Sequence, residues 1–166
     1  MQQPIVQISA SQLSTFKACP RKWAFDKIDN VPRPDTAATN EGKAIHAEVE
    51  AWFRDGTPCQ TPAALALLTH LPQRDAALQV EQPFDFVWPW LEDVRCHGFI
   101  DLIDPRTDTV YDHKTVGDLK RFPKTADDLR ADAQVTLYGL AYRTMHPSTA
   151  TVALQWTYVQ RKHRLG

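Results

Sequence analysis

Residues 96–115 read CHGFIDLIDPRTDTVYDHKT, and they constrain the fold more than any other stretch. Two strand-like runs, about 94–103 and 109–115, are joined by a turn, which predicts a β-hairpin. Asp101, Asp112 and Lys114 fall where such strands are usually apolar. Residues two apart in a strand point to the same face, so Asp112 and Lys114 are expected side by side. Asp101 lies between Ile100 and Leu102 and shares a face with Phe99 and Ile103. A carboxylate among core-type residues is costly to bury without a cation or hydrogen-bond donors. Two acids and a lysine at the mouth of a hairpin suit a divalent metal and a water beside a phosphate.

The chain of 166 residues is the right length for a single domain spanning 1–166, large enough to bury a core without disulfide staples. Hydrophobic residues make up 43%, which excludes a disordered chain. The formal net charge of -1 gives no bulk attraction to nucleic acid, so any DNA contact must come from local basic clusters. Three such clusters stand out, at 17–27, 120–124 and 161–164. Lys17, Arg21, Lys22, Lys120, Arg121 and Lys124 are the candidate phosphate contacts. Three widely spaced cysteines, Cys19, Cys59 and Cys96, form neither a disulfide framework nor a CxxC knuckle. The N-terminus lacks the pattern of a secretory signal, and no apolar stretch is long enough to span a bilayer. The expected setting is the cytoplasm, with no membrane partner.

Ser9 and Ser11 precede a helix expected over about 12–28, which Pro20 should kink or split. After a loop, Asn40 is expected to cap a helix over 41–54 that carries His46 and Glu50 one turn apart. Thr61-Pro62 should start a short helix with Leu65, Leu67 and Leu68 towards the core. Residues 77–88 alternate as a strand, with Glu81 expected to face an edge or, as the alternative, to be a further acid near the site, and Trp88-Pro89-Trp90 reads as a turn. Thr125 should cap a continuous helix to about Met145, with Leu129, Ala133, Leu137, Leu140 and Ala141 as its buried stripe. Gln134 and Tyr138 share one side of that helix, as a partly exposed amide and a core-rim tyrosine on the residues alone. Residues 151–160 read as a last strand. The order α-β-β-β-α-β implies an α/β domain, a small mixed sheet flanked by helices. The chain stops at Gly166 as if a further element were absent.

Four pieces in this order resemble a known family: Gly42-x-x-x-His46, Gly98-x-Ile100-Asp101, Asp112-His113-Lys114 and Gln134-x-x-x-Tyr138. Together they resemble the PD-(D/E)XK nuclease superfamily. Within it they are most similar to the RecB-like exonucleases, related to CRISPR adaptation nucleases and phage exonucleases. Ser9-Ala-Ser11 and Cys19-Pro20-Arg21 also resemble that branch. The resemblance implies a restriction-endonuclease-like core and a metal-dependent nuclease. It makes His46, Asp101 and Asp112 metal ligands, the backbone carbonyl of His113 a fourth, and Lys114 the catalytic lysine. Gln134 and Tyr138 would support the site and contact the strand. The implied cofactor is Mg²⁺ or Mn²⁺, the histidine shifting the balance towards Mn²⁺. The implied reaction is hydrolysis of a DNA phosphodiester by in-line attack of a metal-activated water.

Several relatives bind an iron–sulfur cluster through four cysteines, but no cysteine follows Cys96 here. No such cluster is expected from this chain, and Cys19 is expected to be a buried structural thiol. The leading reading is a DNA exonuclease in recombination, repair or phage replication. Two alternatives stay open. One is an endonuclease, or a nuclease subunit with protein partners in a recombination or phage complex. The other is a catalytically vestigial nucleic-acid-binding module.

Overall fold

A computed structural model describes residues 6–32, 34–121 and 124–161. The basic tail residues Lys162, His163 and Arg164 lie outside the described residues, as do positions 1–5 of the N-terminal segment. The element order is β1 (Val6–Ile8), α1 (Ala10–Ala18), α2 (Pro20–Lys27), α3 (Ala37–Asp55), α4 (Pro62–Leu68), β2 (Gln79–Trp88), β3 (Leu91–Asp104), β4 (Thr109–Val116), α5 (Ala126–Arg130), α6 (Ala133–Met145) and β5 (Ala153–Gln160). The strands form a five-stranded mixed sheet in the order β1-β3-β4-β5, with β2 paired to β3. With helices flanking the sheet, this is the expected α/β class and is consistent with a restriction-endonuclease-like fold. The residues divide into two compact units. One comprises the described residues up to Pro34 with Pro83–Phe99 and Ala126–Ala150; the other comprises Asp35–Gln82, Ile100–Thr125 and the described residues from Thr151 onward.

In the first unit, β1 runs parallel to β3, with Val6 opposite Val94 and Ile8 opposite Cys96. Three residues are too few to show a period, so no sequence pattern predicts this strand. The expected first helix is split at Pro20. Cys19 closes α1 through its amide, which donates to Thr15 O at 2.9 Å. Its Sγ then opens α2 by accepting Lys22 N at 3.4 Å. Cys19 is exposed, which corrects the expectation of a buried thiol; its place in the cap between two helices holds it at the surface.

The helix expected from Thr125 to Met145 is broken into α5 and α6. Asp132 is the reason: its carboxylate accepts Gln134 N at 2.7 Å and caps a new helix. The buried face of α6 is Leu137, Tyr138, Ala141 and Tyr142; Leu137 and Ala141 are as expected, and the two tyrosines join them. Leu129, Ala133 and Leu140 are only partly buried.

In the second unit, α3 begins earlier than expected. Thr36, not Asn40, is its cap, with Oγ1 accepting Thr39 N at 3.1 Å. Asn40 lies inside the helix, its amide bonded to Thr36 O at 3.0 Å. Gly56 ends α3 in the left-handed region at φ 83°, where the absence of a Cβ removes the steric penalty. Glu48 ties α3 to the start of α4: its Oε2 accepts Gln60 N at 2.8 Å and Thr61 N at 2.9 Å. The core is built from Ile45, Val49 and Phe53 of α3 against Ala64, Leu67, Leu78, Leu102 and Val159. Leu65 is 50% exposed, contrary to expectation, because Ala63, Ala64 and Leu67 supply the buried face of α4. β4 pairs in parallel with β5 from Thr109–Ala153 to Val116–Gln160.

Candidate metal centre

The chemistry-bearing residues of the hairpin and of α3 all lie in the second unit. The antiparallel register of β3 and β4 runs through Asp104–Thr109, Ile103–Val110 and Leu102–Tyr111. One residue further along β3, a side chain takes part: Asp101 Oδ2 accepts the backbone N–H of His113 at 3.0 Å. The Asp101 side chain is only 13% exposed, so this bond offsets part of its desolvation.

His46 arrives from α3, with Nδ1 4.0 Å from Asp101 Oδ2. Gly42, one turn earlier, explains the close approach of helix to strand. A Cβ there would lie 2.9 Å from Thr115 Oγ1 on β4. His113 brings a second ring: its Nδ1 is 3.2 Å from the same Asp101 oxygen. The two imidazoles stack with centroids 4.1 Å apart and planes 29° apart. One donor atom from each of His46, Asp101 and His113 lies within 4.8 Å of the others. Neither ring nitrogen of His113 has a hydrogen-bond partner among the described residues.

Burial lowers the pKa of both histidines. For His113 it falls to about 4; Asp101 opposes the shift, while His46 and Lys114 add to it. Burial likewise lowers His46, against the pull of Asp101 and with a push from Lys114. Both rings are therefore neutral at neutral pH, the form that ligates metal. Two neutral imidazoles and a carboxylate, with both His113 nitrogens buried and unpartnered among the described residues, fit a divalent cation.

Asp112 and Lys114 lie side by side on β4, as their spacing predicts. Asp112 is fully buried, and its Oδ1 accepts Lys114 Nζ at 2.8 Å. Glu81 is not an outlying edge acid. Burial raises its pKa to about 7, reinforced by the charges of Asp101 and Glu50 and opposed by Arg54. It lines an open cleft of about 410 Å³ with His46, Glu50, Gly42, Thr115 and Arg161. Its φ of 48° is unusual for a residue with a side chain. Sequence reasoning missed the His113 ring, and it offered Glu81 as a further acid near the site only as the second choice to an edge-facing one. Alternation along a strand puts residue 113 opposite to Asp112 and Lys114, and nothing in the sequence announces a left-handed residue at 81.

Gln134 and Tyr138 belong to the first unit. Gln134 Nε2 donates to Tyr138 Oη at 2.9 Å, and Tyr138 Oη donates to the Phe99 carbonyl at 2.9 Å. Tyr138 is 6% exposed, so it is a core tyrosine and not a rim residue. Lys17, Arg21 and Lys22 are exposed on α1 and α2, beside exposed Phe16 and Phe25, with Arg21 5.4 Å above the Phe25 ring. Lys120, Arg121 and Lys124 are exposed after β4. Among the described residues, no helix is long and apolar enough to cross a membrane.

The comparison with known families covers nearly the whole chain. A model described as the PD-(D/E)XK nuclease superfamily matches residues 7–81 and 73–165. Among curated proteins, none matches. The family match runs through the α3 histidine, the hairpin acids and lysine, and the α6 Gln–Tyr pair, and on that extent of agreement the chain belongs to the PD-(D/E)XK nuclease superfamily of metal-dependent nucleases.

Proposed function

We propose that this chain is a DNA exonuclease of the RecB-like branch, working in the cytoplasm in recombination, repair or phage replication. Residues 1–166 would act as one nuclease domain, a reading supported by a family match that extends through both units. The observation that carries the proposal is the convergence of His46, Asp101 and His113 donors from three separate elements, with the charge of Lys114, paired to the buried Asp112, felt at both histidines.

Each residue then has a task. His46, Asp101 and Asp112, with the backbone carbonyl of His113, would hold Mg²⁺ or Mn²⁺. The bound cation would polarise the scissile phosphate and acidify a water. Lys114, a compact point charge with three donors, orients the attacking water and offsets charge growing on the phosphate oxygens. Asp112 keeps Lys114 pointed at its task. Gln134 and Tyr138 fix the backbone at Phe99 and meet the nucleic-acid strand. Lys17, Arg21, Lys22, Lys120, Arg121 and Lys124 neutralise phosphates without reading sequence.

The test is digestion of linear and covalently closed circular DNA, single- and double-stranded, with Mg²⁺ or Mn²⁺. Linear substrates should be degraded to nucleotides or short products while closed circles survive. Lys114→Ala should slow degradation by about 10²-fold or more. Undigested linear DNA with both metals would overturn the proposal, and digestion of closed circles would make the enzyme an endonuclease.

A further inference from the structure

We infer that the imidazole of His113 itself joins His46 and Asp101 in holding the cation, giving a site that prefers Mn²⁺ to Mg²⁺. This deepens the proposed function and rests on it. The position was expected to contribute only a backbone carbonyl, so a side-chain ligand here is particular to this chain's histidine.

The argument starts from burial. The His113 side chain is 5% exposed. A neutral imidazole has one donor and one acceptor nitrogen, and buried polar atoms are nearly always partnered. Neither His113 nitrogen has a hydrogen-bond partner among the described residues. Nδ1 does stand 3.2 Å from Asp101 Oδ2, without the direction of a hydrogen bond. The ring also stacks on that of His46 at 4.1 Å. Simple packing would be better served by an apolar side chain of similar size. A cation would engage a ring nitrogen that otherwise stays unmet. The donors of all three residues already lie within 4.8 Å of one another.

The ligand types then set the preference. Mg²⁺ favours oxygen ligands and sheds water reluctantly. Imidazole suits later first-row metals, and affinity at nitrogen sites rises from Mn²⁺ onward. With two imidazoles beside the carboxylates of Asp101 and Asp112, the donor set is mixed nitrogen and oxygen rather than the all-oxygen set that Mg²⁺ favours. Asp112 Oδ1 is engaged by Lys114 at 2.8 Å, which limits the negative charge directed at a cation.

Calorimetric titration with Mn²⁺ and Mg²⁺, in the absence of DNA, gives the preference. Pulsed electron paramagnetic resonance of the Mn²⁺ form counts coupled imidazole nitrogens. Wild type should bind Mn²⁺ at least about tenfold more tightly than Mg²⁺ and show two coupled imidazoles. His113→Leu should show one, and lose about tenfold in Mn²⁺ affinity while Mg²⁺ affinity stays within about threefold. One coupled imidazole in wild type, or an unchanged preference in His113→Leu, overturns the inference and leaves the nuclease proposal standing. If the variant fails to fold, the wild-type nitrogen count decides alone. Failure of the nuclease proposal looks different: wild type then binds neither Mn²⁺ nor Mg²⁺.

Discussion

The Asp101 carboxylate accepts the backbone amide of His113 at 3.0 Å, so a side chain of β3 is anchored to the main chain of β4. The anchor needs no particular side chain at residue 113. It fixes the acid of Gly98-x-Ile100-Asp101 relative to the Asp112-His113-Lys114 segment, although the two are separated by a turn. Asp101 thus serves the hairpin as well as any cation.

The two roles of Asp101 can be separated. Asp101→Asn retains an oxygen that can accept the His113 amide but loses the charge. It should melt within about 1 kcal/mol of wild type and lose Mn²⁺ binding. Asp101→Ala removes the acceptor as well and should destabilise by about 1–3 kcal/mol. Thermal denaturation alongside metal titration checks both. Equal melting of Asn and Ala variants would mean that the amide bond contributes nothing.

Lys114 and Asp112 should respond unequally to substitution. Asp112 is fully buried, whereas the Lys114 side chain is 35% exposed. Lys114→Met keeps the stem but takes this cation from a buried carboxylate, at an expected cost of about 2–3 kcal/mol. Asp112→Asn leaves a lysine that can turn to water, at about 1 kcal/mol. Chemical denaturation of the two single variants and the double variant measures the coupling. A Lys114→Met protein as stable as Asp112→Asn would contradict this asymmetry.

Glu81 gives a pH dependence whose sign follows from its raised pKa, about 7 when folded against the ordinary 4.5. Between these values the folded state holds the proton more tightly than the unfolded chain. The contribution to stability is therefore fully present below about pH 4.5 and is lost as pH rises through 7. Glutamine mimics the protonated acid. Glu81→Gln should match wild type near pH 4.5 and exceed it at pH 8, by roughly 1 kcal/mol after allowing for solvent screening, or about 2–4 °C in Tm. His113 has the opposite sign, since its depressed pKa makes its contribution fall as pH drops from about 6.5 to 4. Taking the difference between variant and wild type at each pH cancels that background. A difference that does not grow with pH would sink the assignment.

The hairpin was legible because charge interrupts strand-type residues with a period of two, and the spacing of Asp112 and Lys114 translated directly into a 2.8 Å ion pair. The helical placement of His46 was legible for the same kind of reason, from the apolar period of α3. Helix ends were less so. Thr36 and Asn40 are both good cap residues, and only the folded chain shows that Thr36 takes the role. Asp132 reads as an ordinary helix residue until its carboxylate is seen capping α6. The left-handed backbone of Glu81 and the ring of His113 are set by packing around the site, which no local pattern encodes.

Gly98 has a role in the first unit that the motif alone does not explain. A Cβ at this position would stand 2.9 Å from Phe84 Cζ and 3.1 Å from Cε1. The Phe84 ring is 5% exposed and meets Tyr138 edge-on at 5.9 Å. The ring therefore cannot retreat without pressing on the tyrosine that bonds Gln134 and the Phe99 carbonyl. Gly98→Ala should destabilise by about 1–3 kcal/mol through overpacking. Phe84→Leu in the same chain, by trimming the ring, should recover part of that loss even though Phe84→Leu alone is destabilising. The sign of this coupling, read from a double-mutant cycle by thermal or urea denaturation, is the decisive quantity. If the two losses simply add, the glycine is not there to make room for Phe84.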